Sequence, residues 1–87
     1  MPYIPQEDRR ELDPVIEELV EKLRQAPLEK LDGRLNYVIS RLLNSLYPPG
    51  YFHYNRAVGV ISSVLLEFYR RRVAPYEDGK IKEHGDI

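Results

Sequence analysis

Arginine and tyrosine carry most of the chemistry this sequence has to offer. Residues 34–76 hold six arginines, no lysine and one acid, Glu67. Arg34, Tyr37 and Arg41 recur at three- and four-residue steps, so they share one face of a helix. A second run, Phe68-Tyr69-Arg70-Arg71-Arg72, closes the next helical stretch. Guanidinium forks suit phosphate and carboxylate, and tyrosine rings suit the faces of bases. Arg34, Tyr37, Arg41, Tyr69, Arg70 and Arg71 are therefore candidate binding groups for a small anionic, nucleotide-like ligand. Tyrosine and arginine also build protein interfaces. Cations at a helix C-terminus are, in addition, favoured by the dipole alone.

The groups that usually run catalysis are sparse. There is no cysteine, which excludes disulfides, thiolate metal sites and cysteine nucleophiles. The two histidines, His53 and His84, have no second histidine or suitably spaced carboxylate on a clear helix face. His53 reads as a packing residue in an aromatic loop and His84 as solvated charge in the tail. Ser62 and Ser63 sit mid-helix in an apolar stretch, a poor setting for a nucleophile. No phosphate loop, HExxH or G-x-S-x-G pattern occurs. The sequence predicts a non-enzymatic protein with no metal and no cofactor.

Charge separates the remaining classes. The net value of -1 conceals an acidic first segment (residues 1–33, nine acids and five bases), the basic middle, and an acidic tail (residues 77–87, four acids and two lysines). Holding a nucleic-acid backbone requires a basic domain, so that partner is disfavoured. A small anion needs only two or three arginines. The longest apolar stretch, Ala57 to Leu66, is about half of what a bilayer requires. The first ten residues lack the apolar run of a secretion signal. No membrane partner and a cytoplasmic location are expected.

The elements that must position these groups are helices. At 87 residues the chain is expected to be a single all-α domain, 1–87, with three helices, an extended arm and an irregular tail. Met1 to Pro5 is too proline-rich for a helix and becomes ordered only if Tyr3 and Ile4 dock. Asp13 before Pro14 suggests a cap, giving a first helix over about 14–26 with Val15, Ile16, Leu19, Val20 and Leu23 as its stripe. Leu28 and Leu31 are expected to anchor the connector. The second helix spans about 34–46 and stops at Pro48-Pro49-Gly50. The third, with Asn55 as cap after the Tyr51–Tyr54 loop, spans about 55–73 and ends at Ala74-Pro75. Residues 76–87 form the tail.

The third helix is apolar almost all round, which a three-helix monomer cannot cover. Part of it is therefore expected to be an interface in a homo-oligomer. Gly59, Ser63 and Leu66 lie close in angle on one side of it and are candidate interface residues, the small ones permitting close approach.

The strings MPYIPQEDR, LDPVIEELV, GRLNYVISRLL, Asn55 to Gly59 and LEFYRRRVAPYEDGKIKEHGD resemble a family of short uncharacterised proteins associated with tailed-phage and some bacterial genomes. Members of that family carry Asn-Gly-Asp where this chain has His84-Gly85-Asp86. The resemblance assigns no chemistry, but it implies a phage context in which small proteins bind a host protein or sequester a host signal. Three readings follow. The chain is an oligomer holding an anionic ligand between subunits, an adaptor or inhibitor of a host factor, or a purely structural oligomer whose arginines pair with its acidic first segment.

Overall fold

In the computed structural model, which describes residues 2–87, the chain is three helical rods joined by short connectors. The first rod, α1, spans Gln6–Arg24. It starts eight residues before the expected boundary, and Asp13 caps nothing. A cap contributes about 1 kcal/mol. Continuing the helix instead keeps Leu12 in line with Ile16, Leu19 and Leu23. Glu7 and Asp8 lie in the first turn, where the dipole favours acids. Pro14 is thus inside a helix, where the missing N–H and the ring cost roughly 3 kcal/mol.

A 3-10 turn, Leu28–Lys30, leads directly into α2, Leu31–Leu46. Leu31 is half-buried, as an anchor should be, but Leu28 is 80% exposed and anchors nothing. α1 packs on α2 through half-buried Leu19, Leu23 and Val38. α2 ends where expected. The Tyr47 amide donates to the Leu43 carbonyl at 3.1 Å, and Pro48-Pro49 prevent continuation.

Gly50 then takes φ +127°, a backbone state closed to most side chains, and the chain re-enters a helix at once. α3 spans Tyr51–Phe68. The Tyr54 amide donates to the Gly50 carbonyl at 2.9 Å, so the aromatic segment Tyr51–Tyr54 is the first turn of α3 rather than a loop. Asn55 is inside the helix and does not cap it.

The third rod does not stop at Pro75. A π-helical segment, Tyr69–Val73, carries it into α4, Ala74–His84. A proline in an α-helix would drive its ring into the carbonyl four residues back, here that of Arg71. Widening the turn removes the clash, and the Ala74 amide accordingly donates to the Tyr69 carbonyl five residues earlier. The tail expected to be irregular is therefore helical. It ends at Gly85, with φ +90° and its amide donating to the Ile81 carbonyl at 2.8 Å.

The rods cover one another poorly. Among the described residues only Ala57 is buried. The accessible surface is 8076 Å², whereas a compact chain of this mass exposes roughly 5,400 Å². The radius of gyration is 16.5 Å against about 12 Å for a compact chain of this length.

Candidate functional site

The N-terminal arm and the π segment meet, although 64 to 68 residues separate them in sequence. Residues 2–5 are not helical, and Tyr3 reaches the end of α3. Its hydroxyl donates to Glu67 Oε2 at 2.9 Å and accepts from Arg70 Nη2 at 3.1 Å and Arg71 Nη1 at 3.0 Å. One donor and two acceptor sites are all a phenol has, so this hydroxyl is fully used. Arg70 also donates to both Glu67 oxygens, at 2.9 and 3.1 Å. The Tyr3 hydroxyl, then Arg70, hold the Glu67 carboxyl below the usual carboxylate range. Glu67 in turn holds the Arg70 guanidinium still more firmly in its charged form.

Beside this knot runs a groove of about 400 Å³, lined by Tyr3, Arg9, Val64, Phe68, Arg71 and Arg72 among others. Arg9 is half-buried and donates from Nε to the Ile4 carbonyl at 3.0 Å, tying the arm back onto α1. Arg72 has no hydrogen bond or ion pair among the described residues. Of the six arginines in residues 34–76, only Arg70 has a carboxylate partner there. The groove thus presents cationic forks beside aromatic and aliphatic surface, and its one acid is already held by Arg70 and Tyr3.

The six expected binding residues do not gather in one place. Tyr69 turns away from Arg70 and Arg71, and its hydroxyl donates to Glu77 Oε1 on α4. That bond and the adjacent negative charge raise the Tyr69 phenol above its ordinary value. On α2, Arg34 donates from Nη2 to the Lys22 carbonyl at 3.0 Å, satisfying an acceptor in the last turn of α1. Arg41 donates to the Tyr37 hydroxyl at 2.9 Å and lies over the same ring. Arg34 and Tyr37 line a separate groove against Leu19 and Leu23 of α1. Arg56 sits over the rings of Tyr47 and Phe52.

Two site residues escaped the sequence reading. Tyr3 and Arg9 lie in or beside the arm, and helical spacing says nothing about where an arm docks. The composition of the arm was the one available hint, since a tyrosine among prolines is ordered only by docking. Of the expected interface residues, Leu66 is exposed, Ser63 is half-buried, and a side chain added at Gly59 would meet nothing within 4 Å. Gly59 therefore serves no close approach inside the chain.

His53, in the first turn of α3, has its Nδ1 buried without a hydrogen-bond partner and stands edge-on to Phe52. No cluster of three metal-ligating side chains occurs among the described residues, and no described helix is long and apolar enough to cross a membrane.

Neither a curated protein nor a solved structure matches the chain. A family model does, over residues 1–87, under the description Domain of unknown function (DUF6899). The arm, the groove and all three rods fall within that match, and the chain belongs to that family.

Proposed function

We propose that this protein is a non-enzymatic binding protein for a small anionic, nucleotide-like ligand, working as a homo-oligomer with the ligand held at or near subunit contacts. The observation that carries the reading is the groove beneath the arm, where Arg71 and Arg72 have no carboxylate partner. Arg9, Arg71 and Arg72 would hold phosphate, and Tyr3 offers ring surface for a base. Among the originally expected residues, Arg71 keeps a direct role. Arg70 supports it by neutralising Glu67, and Arg34, Tyr37, Arg41 and Tyr69 have structural partners of their own.

A phage setting, implied by the sequence resemblance, would make the ligand a host nucleotide signal and its capture the function. The purely structural alternative pairs the basic middle with acids within or between copies, and within one chain only Arg70 is so paired among the described residues. An adaptor role has one observation in its favour. Tyr51 and Phe52 are 88% and 70% exposed, an aromatic anchor of the kind that host-protein contacts use.

The experiment is a thermal-shift panel of mono-, di- and cyclic nucleotides with inorganic phosphate as reference. A ligand at a hundred times its Kd stabilises the folded form by about 2.7 kcal/mol. The expected result is an upshift with at least one nucleotide that is lost in Arg71→Ala and Arg72→Ala. No upshift anywhere in the panel would remove the ligand reading and leave the adaptor.

A further inference from the structure

α3 has three sides, and the chain covers mainly one, with Val58 and Ile61 of another only bordering Leu43 of α2. At 100° per residue, His53, Ala57, Val64 and Glu67 fall on the side that meets the rest of the molecule, and His53, Ala57 and Glu67 are half-buried or buried. Gly59, Ser63 and Leu66 fall on a second side, shared with the polar Asn55 and Ser62. The third side carries Tyr51, Tyr54, Val58, Ile61, Leu65 and Phe68. Their steps of three, four, three, four and three residues are those of a coiled-coil seam. All six are exposed, from 37% at Ile61 to 88% at Tyr51.

We infer that this seam is the contact between two copies of the chain, α3 packing antiparallel on α3 about a twofold axis near Gly59 and Val60. The inference deepens the oligomeric part of the reading above and does not depend on the ligand. It also moves the contact from the Gly59, Ser63 and Leu66 side to the seam.

Four features select a second copy as the occupant. The seam is self-complementary under that twofold, as an isologous contact must be. Val58 meets Ile61, Tyr54 meets Leu65, and Tyr51 meets Phe68, so β-branched residues face each other at the centre and aromatic rings at both ends. The flanking positions, Asn55 and Ser62 on one side and Ala57 and Val64 on the other, carry no charge to repel an identical helix. The acidic first segment and the basic middle of one copy complement those of the other. Finally, each chain exposes roughly 2,700 Å² more than a compact chain of its mass. That excess is ample for the 1,000–2,500 Å² or so per subunit that obligate dimers bury.

The antiparallel sense follows from the helix dipoles. Parallel helices would align their dipoles. The antiparallel pair opposes them.

Solution mass and cross-linking test this. The wild-type chain should have twice its 10.3 kDa mass at micromolar concentration, and Leu65→Glu should weaken the pair at least tenfold. Because the chain has no cysteine, introduced thiols report cleanly. A mixture of Tyr51→Cys and Phe68→Cys chains should oxidise to the 51–68 cross-link, and neither variant alone should cross-link efficiently. That readout survives even if Leu65→Glu merely unfolds the subunit. A monomeric wild type overturns the proposal. So does self-cross-linking of Tyr51→Cys, or an assembly of any size that forms no 51–68 link. A dimer indifferent to every nucleotide would keep this pairing and remove only the ligand reading, and a nucleotide-binding monomer would do the reverse.

Discussion

Two arginine-tyrosine clusters of nearly the same composition sit in this chain and are bonded differently. On α2, Arg41 bonds to Tyr37 one turn away, and Arg34 satisfies a carbonyl at the end of α1. Every partner is local or belongs to the adjacent helix. At the π segment, Arg70 and Arg71 instead share one phenol from the opposite end of the sequence, while Arg72 has no partner among the described residues. Each α2 arginine is tied to the fold by one bond, whereas Arg72 has none among the described residues, and in the proposed reading that free guanidinium beside the groove is what takes a ligand. The residue types are the same in both, one set spaced along a helix face and the other consecutive in the chain; the long-range partner distinguishes them further.

The sharpest way to break the comparison is to remove one arginine from each cluster and measure nucleotide affinity. Arg71→Ala should weaken binding at least tenfold, the loss of one charge-assisted contact of about 1.5–3 kcal/mol. Arg41→Ala should leave affinity within twofold. Equal losses in the two variants would mean that both clusters reach one ligand, across a subunit boundary.

Pro75→Ala tests the geometry next. Without the ring clash the third rod is free to close into a regular α-helix. Removing the extra residue of the wide turn rotates everything beyond it by about 100° relative to α3. The bond from Tyr69 to Glu77 should be lost, and ligand affinity should fall by a smaller factor than in Arg71→Ala. Amide hydrogen exchange over residues 69–77 would show the change directly. The α2 cluster has no proline-widened turn near it and should be unaffected.

These contrasts also mark what the sequence could reveal. Period 3.6 patterns gave the class, the stripe of α1 and almost the whole of α2, because those features depend on neighbours three and four residues apart. Strong local signals misled in three places. Asp13-Pro14, Asn55 and Ala74-Pro75 each resemble a helix boundary, and each is helical because continuation keeps an apolar stripe in line or because a π turn absorbs the proline. The candidate binding face was half legible for the same reason. Arg70 and Arg71 stood out as a run, whereas Tyr3 and Arg9 join them only through the fold.

A smaller effect concerns the knot itself. Tyr3→Phe keeps the ring and removes the hydroxyl that three side chains share. The arm should loosen, and Tm should fall by several degrees. The folded state lowers the Glu67 pKa, so its contribution is present above the usual carboxylate range and is lost as pH falls through the folded value. Wild-type Tm should therefore drop in acid more steeply than that of Tyr3→Phe, whose Glu67 keeps only its Arg70 partner. Parallel acid limbs would show that Tyr3 does not hold this carboxylate in solution.

The smallest expected effect belongs to the α2 cluster, and it completes the contrast. The hydroxyl that Arg41 bonds on Tyr37 is one turn away on an exposed helix face. Pairs of that kind stabilise a helix by about 0.2–0.5 kcal/mol. Tyr37→Phe should therefore lower stability by no more than that, shifting a urea midpoint barely beyond error and leaving the slope unchanged. It also keeps the ring over which Arg41 sits, so the cation–π contact remains. A loss several times larger would mean that Tyr37 has a partner beyond its own chain. The α2 cluster would then be a contact surface too, and the asymmetry between the two clusters would lie in which copy supplies the partner.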